Sequence, residues 1–337
     1  MARHLSPGGR RRALLLAALL GVTAGGMTAS GPATPAPLRT PAVVQSSGLY
    51  VDPGGLAPRY LRNLRQSGRH AEAAAIRRIA DRPAATWFTD ARPGFADRAR
   101  RLVTAAGAAG ELPVLALYFI PHRDCRQYSA GGARNAQAYR NWISSMAAAM
   151  RGHRALVILE PDAVAQAVRG CLGPRAAAIR YALLAHAVDT LRAEPGVAVY
   201  LDAGNPGWIP TAQMAPALRR AGATRARGFA LNVANFETTT DNLRYGTALS
   251  RLLAGKHFVV DTSRNGNGPA RRGAGDRHWC NPPGRRLGAA PTLRTGQPLA
   301  DAYLWVKRPG ESDGACGAGA PPAGQWYPAY ARALTGS

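Results

Sequence analysis

The chain has 337 residues, enough to bury a large core, and α/β barrels of this size often form a single domain. Its formal net charge of +24 is compatible with binding to nucleic acid or to an anionic surface. Only Lys256 and Lys307 are lysines, however, and the arginines are dispersed rather than gathered in one stripe, as a preference for GC-rich codons would produce. The composition therefore argues against nucleic-acid binding, and we predict none.

The first 35 residues have the pattern of a secretory signal peptide followed by a flexible leader. Arg3 and the three arginines at 10–12 precede an apolar run at residues 13–22, and small residues follow. The arginines are compatible with a twin-arginine signal as well as with the general secretory route. Neither this run nor any later one is long and apolar enough to span a membrane. We predict a secreted monomer with no membrane partner, whose folded domain covers residues 40–337.

Four cysteines occur after residue 120, namely Cys125, Cys171, Cys280 and Cys316. An even number in an exported chain predicts two disulfides, and three pairings are possible. The chain has no Cys-x-x-Cys motif or Cys/His cluster, and its seven histidines are scattered. We therefore predict no bound metal and no cofactor.

From Gly48 onwards, predicted helices alternate with predicted strands. The predicted helices, which carry apolar residues at helical spacing, are residues 58–81, 95–109, 139–150, 174–192, 211–221 and 239–254. The predicted strands, which are short apolar runs, are residues 84–88, 114–120, 157–159, 197–201, 228–233, 257–260 and 302–306. This alternation indicates βαβ units and a parallel sheet, and so many units in one domain favour a barrel over an open sheet.

The apolar run at residues 157–159 continues into Glu160, Pro161 and Asp162. Pro161 has no N–H and ends the strand, so Asp162 is held just past a carboxyl end, where α/β enzymes carry their chemistry. The alternatives are that Glu160 and Asp162 are ordinary loop acids, or that Asp162 only caps the following helix.

Polar residues follow the other predicted strands at the corresponding point. They are Asp124, Asp202, Asn235, Arg264, Lys307, Glu311 and Asp313. In a barrel the carboxyl ends of the strands share one face, so we expect these side chains to converge with Asp162 on one pocket. Clustered carboxylates raise the pKa of at least one member, which can then act as a general acid beside an ionised base. Metal binding is the competing interpretation of an acid cluster, and the interleaved cations argue against it.

Aromatic residues flank the same loops, namely Trp87, Tyr118, Trp208 and Trp279. Flat rings beside polar groups suit the apolar faces of sugar rings. Core packing is the alternative explanation for any one of these residues.

Several blocks of the sequence resemble glycoside hydrolase family 6, the inverting β-1,4-glucanases that include endoglucanases and cellobiohydrolases. The matching blocks are residues 49–53 (LYVDP), 120–125 with 129–132, 160–162 (EPD), 200–204 with Trp208, 229–233, 261–269, 279–284 (WCNPPG) and 301–326. These blocks cover nearly all of the chain after the leader, and they follow one another in the family's order.

The resemblance implies a role for individual residues. Asp162 would be the general acid that protonates the glycosidic oxygen, and Asp124 would raise the pKa of that acid and help to organise the water. Asp313 matches the proposed base, for which a chain of water molecules towards Asp124 is the rival account. Asp202 would support the site, and we assign supporting roles to Ser129, Tyr118 and Arg123 as well.

Tyr118 would also press on the sugar at the point of cleavage. We predict as substrate-binding residues Trp87, Trp208, Asn235, Trp279, Lys307 and Glu311. The family pairs its cysteines as sequence neighbours, which implies the disulfides Cys125–Cys171 and Cys280–Cys316.

Two positions depart from the family pattern. Asn205-Pro206-Gly207-Trp208 stands where the family usually has His-Ala-Gly-Trp, so we expect a different subsite affinity. The serine that holds the water in the family aligns with Ala130, which leaves Ser129 as its nearest substitute. Weaker positioning of the water, and weaker activity, are expected from this change.

The segment between Cys280 and Cys316 is short, whereas cellobiohydrolases of the family close a tunnel with a long loop in this region. The short segment predicts an open cleft. We therefore predict an α/β protein, a distorted, seven-stranded TIM-like β/α barrel in a single domain, that hydrolyses internal β-1,4-glucosidic bonds of β-glucan polysaccharides with inversion. The alternatives are a cellobiohydrolase of the same family and a non-catalytic glucan-binding protein on the same fold.

Overall fold

The computed structural model describes residues 48–271, 278–317 and 319–336, and these residues form one compact unit. The predicted signal peptide and leader lie outside the described residues. Within the described ranges, no helix is long and apolar enough to cross a membrane.

Seven short parallel strands form the centre of the fold. They are β1 (Thr86–Phe88), β2 (Val114–Leu117), β3 (Ala155–Leu159), β4 (Val197–Asp202), β5 (Gly228–Leu231), β6 (His257–Asp261) and β7 (Ala300–Leu304). Each strand pairs with the next one along the chain. The Ala85 N–H, just before β1, donates to the Trp305 carbonyl just after β7 (2.9 Å), which brings the first and last strands together. The predicted distorted, seven-stranded β/α barrel is confirmed.

Helices cover the outside of the barrel. They are α1 (Leu56–Gln66), α2 (His70–Ala80), α3 (Phe95–Ala108), α4 (Ala136–Met150), α5 (Ala163–Val168), α6 (Pro174–Arg192), α7 (Thr211–Arg220), α8 (Thr239–Leu252) and α9 (Pro328–Thr335). Pro174 opens α6, where a missing N–H costs nothing. The Thr238 side chain caps α8 by accepting from the Asp241 N–H (3.1 Å).

The structure divides the predicted helix at residues 58–81 into α1 and α2. Gly68 lies between them with a φ of 72°, a left-handed conformation that glycine adopts readily and that cannot continue a helix. The prediction of one continuous helix is therefore wrong. Neither α5 nor α9 was distinguished as a separate element by the apolar spacing.

The strand β2 ends at Leu117, three residues before the end of the apolar run at 114–120 that predicts it. The N–H groups of Phe119 and Ile120 donate to the carboxylate of Glu160 (3.0 Å each) instead of to a neighbouring strand. Glu160 is completely buried, so its carboxylate needs these donors. The chain consequently leaves the sheet after Leu117 and enters the loop that carries Asp124.

The strand β7 ends early for the same reason. The N–H groups of Val306 and Lys307 donate to the buried carboxylate of Asp261 (3.3 and 2.8 Å). Asp261 also accepts from the N–H groups of Ala234 (3.0 Å) and Ser263 (2.9 Å). One carboxylate therefore fixes the chain after β5, β6 and β7 at the carboxyl end of the barrel.

Apolar side chains fill both faces of the sheet. The barrel interior is lined by a cluster of mostly small and branched side chains that includes Val114, Leu156, Ile158, Val259 and Leu304. A larger cluster lies between the strands and the covering helices. Each fully buried Leu, Ile or Val side chain contributes about 1.5–3 kcal/mol relative to an exposed one. The barrel is therefore a packed core rather than a pore, and only its rim is open to a substrate.

A polar network closes the amino end of the barrel. Asp301 accepts hydrogen bonds from the Tyr200 hydroxyl (2.6 Å) and from Nε and Nη2 of Arg227 (2.9 Å each), and Nδ1 of His257 lies 2.8 Å from it. Burial alone would raise the pKa of Asp301, but these partners outweigh it and hold the pKa below its ordinary value. The network lies at the opposite end of the strands from the predicted pocket.

Candidate active site

Asp162 lies at the corner between β3 and α5. Glu160 and Asp162 have left-handed backbone conformations on either side of Pro161, with φ of 48° and 68°. Asp162 occupies the N-cap position of α5, yet its side chain makes no capping hydrogen bond. Its carboxylate instead accepts from the Tyr118 hydroxyl (3.4 Å). The helix-cap interpretation is therefore wrong, and the corner directs Asp162 towards the end of the neighbouring strand β2.

The surroundings of Asp162 favour the protonated form of its carboxyl group. Burial raises the pKa of Asp162 well above its ordinary value, and the negative charges of Asp202 and Asp124 raise it further. The hydrogen bond from Tyr118 and the positive charge of Arg180 act in the opposite direction and are outweighed. A carboxyl group that stays protonated in this way can donate its proton as a general acid.

Asp202, at the end of β4, holds the Asp162 corner through the backbone. Its Oδ2 accepts from the N–H groups of Asp162 (2.9 Å) and Gly204 (3.2 Å). Its Oδ1 is buried and has no hydrogen-bond partner among the described residues. Burial raises the pKa of Asp202 to about 7, and the two N–H donors only moderate this increase. Asp202 therefore shares with Asp162 the tendency to hold a proton.

Asp124 lies on the loop after β2 and is joined to the helix that follows Asp162. Its Oδ2 accepts from the Ser129 N–H (2.7 Å), and its Oδ1 accepts from Nε2 of Gln166 (3.2 Å). Burial raises the pKa of Asp124 against the effect of these bonds and of Arg123. Gln166 was not among the predicted site residues, although its position four residues after Asp162 places it on the same face of α5.

The loop that carries Asp124 has an unusual backbone. The non-glycine residues with positive φ in it are His122, Asp124, Cys125 and Arg126, with values from 46° to 72°. Such conformations persist only where surrounding contacts fix them. The Arg123 guanidinium supplies three of these contacts, since it donates to the carbonyls of Ser129 (2.7 Å), Tyr118 (2.8 Å) and Thr89 (2.9 Å). Arg123 thus holds the loop in shape, and Ser129 holds the Asp124 carboxylate through its N–H.

Asp313 is enclosed by cations. Its Oδ2 accepts from Nη1 of Arg264 (2.7 Å) and from the Asn281 N–H (2.9 Å), and its Oδ1 lies 3.1 Å from Nζ of Lys307. Burial alone would raise the pKa of Asp313, but Arg264 and Lys307 outweigh it and hold the pKa below its ordinary value. The carboxylate is therefore firmly ionised and a weak proton acceptor.

Lys307 and Glu311 belong to the same ion cluster as Asp313. Nζ of Lys307 lies 3.4 Å from Oε1 of Glu311 and donates to the Ser312 carbonyl (3.1 Å), and Arg308 contacts Glu311 as well. Both Lys307 and Glu311 are 5% exposed. Their charges are thus largely satisfied within the protein, and little of either side chain is available to a sugar.

The predicted sugar-binding side chains near β1, β4 and β5 lie at the same end of the barrel as the acids. The rings of Trp87 and Tyr118 meet edge to face at 5.6 Å, and Nε1 of Trp87 donates to the Val306 carbonyl (2.7 Å). Trp87, Trp208 and Asn235 are all partly exposed. These three residues therefore retain surface for a ligand.

The loops that carry Asp124 and Asp313 meet at their outer edges. The ring of Tyr128, which is 45% exposed, lies 5.8 Å from the ring of Trp279. It also covers Gly314, where an added Cβ would lie 2.6 Å from Cγ of Tyr128. The structure therefore has a contact between these two loops, whereas the short segment between Cys280 and Cys316 predicts an open cleft.

Residues 44–337 match the sequence profile described as glycosyl hydrolases family 6. The chain belongs to this family. It is 42% identical over 294 residues to endoglucanase 1 of Streptomyces halstedii, which covers 85% of this chain and 88% of that relative. It is 34% identical over 295 residues to a probable 1,4-β-D-glucan cellobiohydrolase C of Aspergillus terreus, which covers 68% of this chain and 61% of that relative. The predicted resemblance to family 6 is confirmed.

A solved structure of family 6 supports the same assignment. The endoglucanase Cel6 from Mycobacterium tuberculosis, in complex with methyl-cellobiosyl-4-deoxy-4-thio-β-D-cellobioside, is 45% identical to this chain with a TM-score of 0.81. The match covers 87% of this chain and 97% of that chain. The prediction that this chain is a glycoside hydrolase is likewise confirmed.

The departure from the family 6 pattern at Asn205 has a structural consequence. The Asn205 side chain accepts from the Gly207 N–H (3.0 Å), and the Asn205 carbonyl accepts from the Trp208 N–H (3.1 Å). Asn205 is buried, so it stabilises its own turn. Trp208 is thereby held at the tip of that turn beside Gly204, where it remains partly exposed.

The two disulfides are Cys125–Cys171 and Cys280–Cys316, as the family resemblance implies. The first joins the Asp124 loop to the segment before α6. The second joins the segment that carries Asn281 to the loop that carries Asp313. In residues 48–271, 278–317 and 319–336, no group of three or more His, Cys, Asp or Glu side chains is arranged to hold a metal ion.

Asp261 is a structural residue of the site that was not among the predicted site residues. Its four backbone contacts, described above, fix the strand ends that carry Asn235 and Lys307. Its position directly after an apolar run is the same signal that identifies Asp162 and Asp202. Arg264 follows a predicted strand and was expected at the pocket, but its contact with Asp313 was not predicted. Asn281 carries no comparable signal, because its contact with Asp313 joins segments far apart in the sequence.

Proposed function

We propose that this chain is a secreted endo-β-1,4-glucanase that hydrolyses internal β-1,4-glucosidic bonds with inversion of configuration. The observation that carries the proposal is the position of Asp162 at the carboxyl end of the barrel, where it accepts from the Tyr118 hydroxyl and where burial and the nearby Asp202 and Asp124 raise its pKa. The names of the relatives agree with it, since the similar proteins from Streptomyces halstedii and Mycobacterium tuberculosis are endoglucanases.

Asp162 acts as the general acid. It gives its proton to the glycosidic oxygen as the bond to the anomeric carbon breaks, and the leaving chain departs as a neutral alcohol. Burial of the site favours that proton, and the negative charges of Asp124 and of ionised Asp202 favour it further. Tyr118 orients the carboxyl group by its hydroxyl, and its ring meets that of Trp87 in a T-shaped contact.

The water on the opposite face of the sugar is deprotonated towards Asp124 rather than by Asp313. Asp313 is paired with Arg264 and Lys307, which reduces its basicity. Asp124 has no salt bridge among the described residues that would compete for a proton, and its raised pKa makes it the stronger base. An inverting pair stands about 6.5–9.5 Å apart to leave room for this water. Asp313 stabilises the site by fixing Arg264 and the loop of Asn281.

A glucan chain is bound by partly exposed aromatic rings. Trp87, Trp208 and Trp279 offer flat apolar surface to sugar rings, and Asn235 offers an amide beside them. Lys307 and Glu311, which are almost completely buried, act mainly by holding the loop that carries Asp313. Neither a metal ion nor an organic cofactor takes part in the reaction that we propose.

Export of the protein agrees with its disulfides. Two disulfides are typical of a protein that folds in an oxidising compartment. Together with the arginine-rich, apolar start of the chain, they support secretion after removal of a signal peptide. The secreted domain acts as a monomer on its polysaccharide substrate.

Cellobiohydrolase action is the second candidate, and the contact between Tyr128 and Trp279 favours it. Loops that meet across a cleft admit a chain end more readily than an internal segment of a polymer. A relative from Aspergillus terreus is named a probable cellobiohydrolase. The two modes differ in how fast they shorten a long polymer.

Hydrolysis of carboxymethyl cellulose, followed by reducing ends and by viscosity together, tests the proposal. We expect a rapid fall in viscosity with few reducing ends, and a loss of about 10²–10⁴-fold in rate for Asp162→Ala. Asp189→Asn, which removes an exposed carboxylate of α6, is the matched control and should retain the wild-type rate. Slow viscosity loss with steady sugar release would indicate cellobiohydrolase action. Equal rates for wild type and Asp162→Ala would refute the enzymatic role.

A further inference from the structure

Arg180 is a buried cation next to the two segments that carry Asp124 and Asp162. It lies in the first half of α6 and is 2% exposed. All the hydrogen bonds that its guanidinium makes to described residues go to neutral oxygen atoms. A buried charge without a close counter-ion costs several kcal/mol. A residue that lowers the stability of the protein in this way requires a compensating role.

The hydrogen bonds of Arg180 divide evenly between two segments. Nη2 donates to the carbonyls of Pro121 (3.1 Å) and His122 (2.7 Å), in the loop that leads to Asp124. Nη1 donates to the Ala163 carbonyl (3.4 Å) and to Oε1 of Gln166 (3.4 Å), in the helix that follows Asp162. One planar guanidinium therefore spans the gap between the two carboxylate-bearing segments.

Both of these segments have strained backbones that need such support. His122 and Asp124 have positive φ on one side of Arg180, and Glu160 and Asp162 have positive φ on the other. Each such non-glycine residue costs on the order of 1 kcal/mol or more, so the surrounding contacts must fix it. Arg180 contacts carbonyls within two residues of both acids, and Gln166 passes the link on to Oδ1 of Asp124 (3.2 Å).

Arg180 also contributes the positive charge among the groups that shift the pKa of Asp162. Those groups are Tyr118 from β2, Asp124 from its loop, Asp202 from β4 and Arg180 from α6. The buried carboxylate of Glu160 and the side chain of Tyr181 interact with Arg180 in turn. The positive charge of Arg180 opposes the increase in the pKa of Asp162 that burial and the two aspartates cause.

We propose that Arg180 is a positioning residue for glycosidic cleavage, whose guanidinium fork fixes the Asp124 loop and the Asp162 corner relative to each other. The water and the glycosidic oxygen must be met from opposite faces of the same sugar, so the separation of these two acids determines the rate. A lysine at this position carries the charge but cannot span four acceptors in one plane. This inference rests on the proposed function of the site.

Steady-state kinetics on soluble cello-oligosaccharides, measured across pH, test this role. In Arg180→Gln we expect kcat to fall about 100-fold, the effect of a misplacement of about 1 Å, with KM changed by less than about three-fold. The alkaline limb of the pH profile should move to higher pH, because Asp162 loses the cation that opposes its protonation. In Arg180→Lys the limb should stay at its wild-type position, while kcat still falls by roughly ten-fold.

Arg227→Gln is the matched control, because Arg227 is a second largely buried arginine at the opposite end of the barrel. We expect this variant to melt at a lower temperature while its kcat and its alkaline limb remain at wild-type values. A wild-type kcat in folded Arg180→Gln would overturn the positioning role. If Arg180→Gln does not fold, the lysine variant decides, and an unchanged kcat in it would overturn the proposal equally. An inactive wild-type protein would instead refute the proposed function itself.

Discussion

The acidic residues at the rim of the barrel differ in whether a cation lies against them. Among the residues that the structure describes, no cation is in direct contact with Asp162 or Asp202, and burial raises the pKa of both. Asp313 and Glu311 are equally buried, but adjacent arginine and lysine side chains lower the pKa of both below ordinary values. Buried carboxyl groups therefore favour the protonated form on one side of the pocket and the ionised form on the other.

This difference predicts the two limbs of the pH dependence of kcat/KM. Activity requires protonated Asp162, so it should persist above the ordinary carboxyl range and be lost as pH rises through the raised pKa of Asp162. Activity also requires an ionised base, so it is lost as pH falls through the pKa of that base. With Asp124 as the base, the acid limb should lie above about 3.9, the ordinary value for an aspartate.

Asp313→Asn is the informative variant for the acid limb. We expect the folded Asp313→Asn protein to lose kcat/KM at the same acid pH as wild type, because Asp313 is not the titrating base. An acid limb below about 3.9 that disappears in Asp313→Asn would assign the base to Asp313 instead.

Single residues were predictable from the sequence where chemistry follows a strand directly. Asp162, Asp202 and Asp124 all come within a few residues of an apolar run, and the structure places them together. The ion pairs of Asp313 with Arg264 and Lys307 were not predictable, because long loops bring these segments into contact. Gln166 and Arg180 were missed for a similar reason, since their partners lie about 42 and 58 residues away.

At the level of secondary structure, the sequence predicted each strand of the barrel but misplaced several strand boundaries. Apolar runs predict how far a segment is buried. Ile120, Val306 and Lys307 are buried and Phe119 is partly buried, yet their N–H groups donate to carboxylates at the rim. Pairing therefore stops before burial does. The division between α1 and α2 at Gly68 shows the converse, since apolar spacing continues across a backbone that a left-handed glycine has turned.

The contact between the Asp124 loop and the Asp313 loop gives a prediction about the mode of cleavage. Tyr128→Ala removes an aromatic contact worth about 0.5–1.5 kcal/mol. The population of the conformation in which the two loops are separated should therefore increase roughly 2- to 10-fold. We expect the fall in viscosity per reducing end formed on carboxymethyl cellulose to become steeper. Tyr128→Phe keeps the ring and should behave as wild type. An unchanged ratio in Tyr128→Ala would show that this contact does not restrict entry of the polymer.

Across the whole molecule, the two ends of the barrel have different tasks. The carboxyl end gathers acids, strained loops and partly exposed aromatic rings, whereas the amino end is closed by the network of Asp301, Arg227, His257 and Tyr200. Barrels commonly separate catalysis and stability in this way. The alternation of helices and strands predicts the architecture, but the amino-end network could not be predicted because its members lie on three different strands and a loop.

Asp301→Asn tests this separation. It leaves Arg227 without its anion, so we expect a loss of about 3 kcal/mol in the free energy of unfolding, measured by urea denaturation near neutral pH. Because the folded-state pKa of Asp301 is lowered, its contribution is present above the unfolded-state pKa of about 3.9 and is lost as pH falls through the folded value. The difference from wild type should therefore shrink in acid. A loss of kcat in the folded variant would contradict the separation of the two ends.

Proton delivery by Asp162 is tested most directly by changing the leaving group of the substrate. A dinitrophenyl β-cellobioside releases a stable phenolate that needs no proton, whereas carboxymethyl cellulose releases a sugar alkoxide that does. In Asp162→Ala we expect hydrolysis of the polymer to fall by about 10²–10⁴-fold and hydrolysis of the aryl glycoside to fall by less than about ten-fold. An equal loss on both substrates would contradict the assignment of Asp162 as the general acid.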